Sequence, residues 1–263
     1  MKSAKSLAST VMLLLVIASV ALAQQQPKRF LEAYEFTIKP GAVMAFEDYV
    51  KKVVEAANKM GSQREWATFA QELGGPGQSY IVALHYDKWA ERDAWTQVPE
   101  ILSKAFGDDE AMKILRTGSS AIESSHSRVY RLLEQYGTKI DSAGTFASRY
   151  VVTETHVKRD MVSDYELMLS KIQAAEEAME GSSTAIRRVT ALGDMSIYIA
   201  SRPFDKFEVV DAWAGQGNAM RKMYGDEEAR QIAETLSRCQ KSQRIFVINM
   251  RPELSRRASP TTN

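Results

Sequence analysis

Hydrophobic residues recur along this chain with two different periods. Within 30–38 the apolar residues Tyr34, Phe36 and Ile38 alternate with the polar residues Glu35 and Thr37, as they do in a strand with one buried face. From Ala42 to Met60 apolar residues recur every three or four positions, which is typical of an amphipathic helix, and Gly61 ends that helix. Continued in this way, the pattern predicts strands at 30–38, 64–73, 79–86 and 127–133, with helical segments at 42–60, 89–95, 99–106 and 108–116.

The same order of elements then starts again after a polar stretch. Each set follows the order β-α-β-β-α-β, which is that of the split βαβ plait. The repetition predicts two similar α+β units within one chain. In the second set, strands are predicted at 146–157, 185–192, 195–202 and 244–250, and helices at 163–179, 204–214 and 226–239.

Two side-chain motifs repeat at one constant offset, which supports an internal duplication. The first consists of Asp-Lys-aromatic, three variable residues and Asp-Ala-Trp, and the second of an aromatic residue, glycine and an acidic run ending in alanine. The copies are Asp87-Lys88-Trp89 with Asp93-Ala94-Trp95, Asp205-Lys206-Phe207 with Asp211-Ala212-Trp213, and the runs 106–111 and 224–229.

The alignment of the two halves can be extended to the strands. Judged by its spacing from the next tyrosine, Tyr34 aligns with Tyr150. In the last strands Arg128 aligns with Arg244, each two residues before an aromatic residue. Because a duplicated feature is best explained by duplicated structure, we expect these arginines to form structural ion pairs. A ligand-specific site should instead break the symmetry.

The element order and the aromatic stretch after the third strand resemble the dimeric α/β-barrel superfamily, which includes antibiotic-biosynthesis monooxygenase-like, EthD-like and NIPSNAP-like proteins. The resemblance implies two tandem ferredoxin-like repeats, at 30–135 and 146–253, packed sheet to sheet as a pseudo-symmetric α/β barrel. Residues 136–145 would link them, and 254–263 would form a loose tail. Several catalytic members carry a histidine in the helix after strand three, where this chain has Trp95 and Trp213, which weakens an enzymatic interpretation.

Composition excludes some classes of partner. The chain of 263 residues is 44% hydrophobic and has 34 basic against 33 acidic side chains, a net charge of +1. No basic excess attracts nucleic acid or an anionic membrane. We expect a monomer or a homodimer.

The first 23 residues resemble a secretory signal peptide. Lys2 and Lys5 precede a short apolar run, and Ala21-Leu22-Ala23 is a small-residue cleavage site. We therefore expect a protein exported to the periplasm or the extracellular space, without a membrane anchor after cleavage. Because Cys239 is the only cysteine, no intrachain disulfide forms, which favours a bacterial source.

The three histidines, His85, His126 and His156, show no metal-binding spacing, and we predict neither a metal site nor a cofactor. A haem alternative would use His156, the only histidine of the second half, as axial ligand. Glu154 and His156 are two residues apart on one strand and therefore share a face. If that face lines the barrel, the pair can handle a proton; if it faces solvent, it has no role. His85 is a further catalytic candidate.

Aromatic residues on the predicted strands are candidates for lining an apolar binding site, although such residues are also ordinary core. Three functions follow from these observations. The first is binding of a small, mostly apolar molecule in the barrel, the second a cofactor-independent monooxygenase-like activity, and the third a structural protein without a ligand. The candidate ligand-binding residues are Trp66, Tyr80, Tyr86, Tyr198 and Phe246.

Overall fold

A computed structural model describes residues 29–62, 64–75, 78–136, 147–179, 185–212 and 216–257. The predicted signal peptide, nearly all of the predicted linker, Trp213 and the end of the predicted tail lie outside these ranges. The exact division between the two repeats stays a prediction.

The described residues form strands and helices in the predicted order. The strands are β1 (Phe30–Ile38), β2 (Ala67–Leu73), β3 (Ser79–Tyr86), β4 (Ile122–Leu132), β5 (Arg149–Val157), β6 (Ile186–Thr190), β7 (Ile197–Phe204) and β8 (Gln240–Met250). The α-helices are α1 (Val43–Lys59), α2 (Val98–Phe106), α3 (Asp108–Ala121), α4 (Val162–Glu177), α5 (Phe207–Ala212) and α6 (Gln216–Cys239), the last with a break at Gly225.

The eight strands close into one antiparallel barrel in the order β1-β3-β2-β8-β5-β7-β6-β4. Each repeat contributes a four-stranded sheet, and the seams β2–β8 and β4–β6 join the two sheets. A closed ring leaves no unpaired strand edge. The predicted fold, two ferredoxin-like repeats forming a pseudo-symmetric barrel, is confirmed.

The two faces of each strand have different neighbours. Outward-facing side chains pack against the helices, as Tyr198 does against Tyr165 of α4 at 4.8 Å between ring centroids. Inward-facing side chains from both repeats meet in a single apolar layer, because each sheet must bury the face that its helices leave uncovered. We call this the interior layer; it includes Leu31, Phe69, Tyr130, Tyr150, Val152, Ile199, Phe246 and Ile248.

The duplicated aspartate holds the start of the first strand in each repeat. Asp87 Oδ1 accepts a hydrogen bond from the backbone N–H of Arg29 at 3.2 Å, just before β1. Asp205 Oδ1 accepts the equivalent bond from Ser148 at 3.1 Å, just before β5. The N–H of Ser148 lowers the pKa of Asp205. This motif therefore has a structural explanation in both halves.

The predicted helix from Trp89 to Trp95 is wrong in type, since only a short 3-10 helix, Trp89–Arg92, forms. The ring of Trp89 packs on Phe30 at 4.9 Å and that of Trp95 on Tyr86 at 5.4 Å. Residues six positions apart lie on different sides of an α-helix. Both tryptophans can contact the sheet only because the chain leaves the helical path between them.

The last strand of each repeat begins four or five residues earlier than predicted, at Ile122 and Gln240. The segments 123–127 and 241–243 are exposed on both faces, so they lack the apolar alternation that identifies a strand. Their strand conformation comes from backbone pairing with β1 and β5.

Strand register corrects the alignment of the two halves. Tyr34 packs on the helix side of its sheet, whereas Tyr150 belongs to the interior layer, so they are not equivalent. The bulges before Ile38 and Val157 mark matching points, and counting back from them pairs Glu35 with Glu154. The alignment based on tyrosine spacing was therefore wrong by three residues.

The same register corrects the alignment of the arginines. Glu35 lies opposite His126 on β4, and Glu154 lies opposite Arg244 on β8. His126, and not Arg128, is therefore the counterpart of Arg244. Both arginines form ion pairs nevertheless, and they do so from non-equivalent positions.

Candidate functional site

Six charged or titratable side chains meet on the inner face of the barrel, where β1 and β5 end and β4 and β8 begin. Glu154 is almost completely buried, with 6% of its side chain exposed, whereas the side chain of His126 is 49% exposed. The group therefore extends from the barrel interior to solvent. We call it the mouth cluster: Glu35, His126, Arg128, Glu154, His156 and Arg244.

Glu35 is held by groups from two other strands. Arg244 donates from Nη1 to Oε1 at 3.0 Å and from Nη2 to Oε2 at 2.8 Å. His126 Nε2 lies 3.0 Å from Oε2 of the same carboxylate. The two parallel bonds from Arg244 form the bidentate arrangement in which arginine binds a carboxylate most strongly.

Glu154 is the centre of the other half of the cluster. Arg128 Nη1 donates to Oε2 at 3.0 Å, and Arg244 Nη2 lies 3.4 Å from the same oxygen. His156 Nε2 lies 3.0 Å from Oε1. Arg128 and Glu154 come from different repeats, so the cluster joins the two halves across the barrel.

These contacts determine which groups are ionised. Burial alone would raise the pKa of Glu35, but the hydrogen bonds and charge of Arg244, with His126 and Arg128, outweigh burial and lower it. The hydrogen bonds that Arg244 donates to Glu35, with the charge of Glu154, raise the pKa of Arg244. Glu35 and Arg244 are therefore both charged at neutral pH.

Lowering the pH should remove the contribution of Glu35 to stability. Because its pKa is lower in the folded than in the unfolded chain, this contribution is present above about pH 4.5 and disappears as the pH falls below that value. We expect Glu35→Gln to reduce the free energy of unfolding by about 2 kcal/mol at pH 7, the cost of a lost charged hydrogen-bond pair.

The measurement is urea unfolding of the protein and of Glu35→Gln between pH 7 and pH 3. The difference between them should shrink as the pH falls below about 4.5. A difference that stays constant over this range would show that Glu35 is not stabilised as the anion.

The glutamate–histidine contact of β5 can handle a proton. A carboxylate that accepts a hydrogen bond from one imidazole nitrogen fixes the ring and leaves the other nitrogen free to accept a proton. Glu154 is in this position relative to Nε2 of His156, if Nε2 carries the proton. The face that they share lines the barrel, so of the two alternatives for this pair the structure supports the interior one.

The mouth cluster rests directly on the interior layer. The guanidinium of Arg244 lies 4.7 Å from the ring centroid of Phe246. Burial, together with the charge of Glu154, raises the pKa of Tyr130 to about 12, so its phenol stays protonated at neutral pH. Charged groups thus lie next to aromatic surface, a combination that suits a ligand with apolar and polar parts.

The predicted ligand-binding residues do not lie together. Trp66 donates from Nε1 to the carbonyl of Leu254 at 3.0 Å, on the helix side of the first sheet. Tyr80 and Tyr198 also face helices and donate to glutamates of α1 and α4, and Tyr86 is buried beside Phe30. Among the five, only Phe246 belongs to the interior layer.

His85 lies away from the mouth cluster. It is the cross-strand partner of Leu31, four residues before Glu35 on β1, or roughly 13 Å along the strand. Sequence reasoning singled out Glu154 and His156 and missed the grouping of His126, Arg128 and Arg244 with them. Alternation along β4 and β8 was the available signal, but β4 was predicted to begin at residue 127, one residue too late to include His126.

The described residues contain no group of three or more His, Cys, Asp or Glu side chains that could hold a metal ion. Nor does the surrounding of His156 fit a haem, because its Nε2 contacts Glu154 and ion pairs occupy the space that the apolar porphyrin faces require. Cys239 is buried where α6 meets β8, and burial raises the pKa of its thiol.

In the described part of the chain, every helix is too short or too polar to cross a bilayer. No family model matches the sequence, and no curated protein matches it either.

Solved structures share the architecture at very low sequence identity. An anthrone oxidase-like protein aligns with a TM-score of 0.51 at 12% identity, covering 86% of this chain and 94% of that one. A chlorite dismutase from Candidatus Nitrospira defluvii, in complex with imidazole, aligns with a TM-score of 0.50 at 9% identity, covering 87% and 93%. The chain therefore shares the α/β-barrel fold of these structures, with both ferredoxin-like halves supplied by one polypeptide.

Proposed function

We propose that this protein binds a small, mostly apolar molecule inside the barrel, between the interior layer and the mouth cluster. The observation that carries the proposal is the contact of solvent-accessible charged groups with buried aromatic surface, through Arg244 on Phe246. The apolar part of a ligand would contact the layer, and its polar part would reach the cluster. Because the barrel closes within one chain, a single copy supplies the complete site.

Binding can be tested with N-phenyl-1-naphthylamine, a neutral dye whose fluorescence rises in apolar surroundings. We expect saturable binding that Phe246→Leu weakens about fivefold, since lost apolar contact of about 1 kcal/mol corresponds to that factor. Phe46→Leu is the matched control, because Phe46 is equally buried but packs against Tyr80 on the helix side. Native mass spectrometry of the purified protein should in addition show a bound mass.

The control separates an interior site from one between sheet and helices. If Phe46→Leu weakens binding and Phe246→Leu does not, the ligand lies on the wrong side of the sheet for this proposal. Absence of saturable binding and of any bound mass would favour the structural alternative, in which the two sheets only pack on each other.

A second candidate function is cofactor-independent oxidation, with His156 as the proton acceptor. It is favoured by the 3.0 Å contact between His156 Nε2 and Glu154 Oε1. In such a reaction His156 would remove a proton from an acidic C–H group, and the resulting carbanion would react with dioxygen. Anthrone is a suitable first substrate because its C–H is acidic, and because one structural neighbour is described as anthrone oxidase-like.

Oxygen consumption with anthrone tests this second candidate. If it is correct, His156→Gln should lower turnover at least 100-fold, within the range expected for loss of a general base. His126→Gln, which removes the other imidazole of the cluster, should have a smaller effect because its partner Glu35 is already held by two bonds from Arg244. Equal effects of the two substitutions would contradict the assignment.

Whichever function is correct, we propose that the protein is exported to the periplasm or extracellular space, because its first 23 residues resemble a signal peptide. N-terminal sequencing of the mature protein from a cell fraction tests this part of the proposal. A mature chain that begins at Gln24 would support it, and a chain that keeps Met1 in the cytosol would contradict it.

A further inference from the structure

Arg188 in the middle of β6 is an arginine buried inside the barrel. Only 4% of its surface is exposed. Its neighbour Arg187 faces the other side of the sheet, where Nη2 donates to Oε2 of Glu176 on α4 at 2.6 Å. Because successive side chains of a strand point to opposite faces, Arg188 faces the interior, beside its cross-strand partner Ile199.

The other interior arginines have carboxylates, and Arg188 does not. Arg128 and Arg244 are paired with Glu154 and Glu35. Among the described residues Arg188 forms no ion pair, and its buried Nε has no hydrogen-bond partner. Within the part of the chain that the structure describes, these two carboxylates face three guanidinium groups, which leaves one uncompensated positive charge when the imidazoles are neutral.

This charge is costly, and it persists at neutral pH. Burial lowers the pKa of Arg188 to about 10, and the nearby phenol of Tyr150 only partly opposes that effect. A buried cation without a partner is destabilising unless something else compensates for it. The compensating group must be an anion that reaches the interior. Its oxygens must accept hydrogen bonds, because guanidinium presents N–H donors only.

We propose that Arg188 binds the anionic end of the barrel's ligand, which is therefore an amphipathic monoanion with a carboxylate or sulfonate group. The inference rests on the proposed binding function and adds the chemical class of the ligand. Arg188 lies opposite Leu132, four residues beyond Arg128 on β4, so it would bind the end of the ligand away from the mouth cluster. The oxyanion at that end would accept hydrogen bonds from Arg188, and the apolar part would lie against the neighbouring interior layer, including Tyr130, Tyr150 and Ile199. The planar fork of guanidinium matches two oxygens of one oxyanion.

Two dyes with one skeleton test the proposal on the full chain. N-phenyl-1-naphthylamine is neutral, and 1-anilinonaphthalene-8-sulfonate adds a single sulfonate. We expect the protein to bind the sulfonate dye at least tenfold more tightly than the neutral dye. Arg188→Met, which keeps an unbranched side chain of similar length, should abolish this preference while leaving affinity for the neutral dye unchanged or improved. Arg159→Met, at an exposed arginine with 83% of its side chain accessible, is the control for surface binding and should preserve the preference.

Thermal unfolding provides a readout that does not depend on the dyes. Without ligand, Arg188→Met should have an unchanged or higher Tm, because it removes an unpaired buried charge. At the same concentration, the sulfonate dye should raise the Tm of the unmodified protein more than that of Arg188→Met.

The outcomes distinguish the two proposals. Equal binding of both dyes, or an unaltered preference in Arg188→Met, would overturn the role of Arg188 and leave the binding function standing. Absence of saturable binding of either dye would overturn the binding function and the inference with it. A clear fall in Tm on Arg188→Met would show that the guanidinium is a structural group with a partner inside the protein.

Discussion

Replacing Glu154 with glutamine should lower the free energy of unfolding by about 3 kcal/mol, the cost of removing one partner of a buried ion pair. Glu154 is 6% exposed and contacts Arg128, His156 and Arg244. Among the described residues, Glu154 is the only carboxylate that forms an ion pair with Arg128. Without it Arg128 keeps its charge in a partly buried position. Urea denaturation at pH 7 measures the effect.

Two further variants test whether this loss comes from the buried ion pair between Glu154 and Arg128. Glu227→Gln removes a carboxylate that pairs with Arg230 on the exposed surface of α6, where solvent screens the pair, and should leave the free energy of unfolding almost unchanged. The double variant Glu154→Leu with Arg128→Met should recover much of the loss, since both charges are then removed. If Glu154→Gln costs no more than Glu227→Gln, the mouth cluster does not hold the two repeats together.

Replacing Gly74 with alanine should destabilise the seam between the repeats by about 3 kcal/mol, through left-handed strain of about 1–2 kcal/mol and a comparable cost of overpacking. Gly74 has φ of +80°, and an added Cβ would lie 2.4 Å from the carbonyl oxygen of Ile245 and 3.0 Å from Cα of Phe246. These atoms belong to the backbone of β8, so they cannot move aside by rotation of a side chain. The strands β2 and β8 would have to separate.

Gly107→Ala is the matched control. Gly107 also has a positive φ, of +83°, but a Cβ there would meet nothing within 4 Å. Only the conformational strain remains, about 1 kcal/mol. Equal losses in the two variants, measured by urea denaturation, would show that β2 does not approach β8 as closely as the structure places it.

Much of the fold follows from local patterns. The bounds of β1 and β3 were predicted to the residue, because Pro40 and Gly41 follow β1 and a glycine-rich turn precedes Ser79. The helix break at Gly107 and its copy at Gly225 followed from the repeated motif, and both glycines adopt positive φ. These features depend on residues close together in the chain.

The strand register could not be derived in this way. Bulges before Ile38 and Val157 shift the strand pairing. The alignment by tyrosine spacing therefore matched Tyr34 with Tyr150, which lie on opposite faces of their sheets. A shift of one residue reverses which side chains face the interior. The equivalence of Glu35 and Glu154 therefore appeared only with the backbone pairing.

Sequence patterns alone were enough to identify a duplicated β-α-β-β-α-β unit whose two sheets must bury each other. They also identified Glu154 and His156 as a pair on one face. Three facts came from the tertiary fold: this face lines the barrel, Arg128 and Arg244 reach it from other strands, and Arg188 is buried with no carboxylate partner among the described residues. The reason is that pairing of charges depends on distances across the closed barrel, between residues far apart in the chain, and no local pattern records these distances.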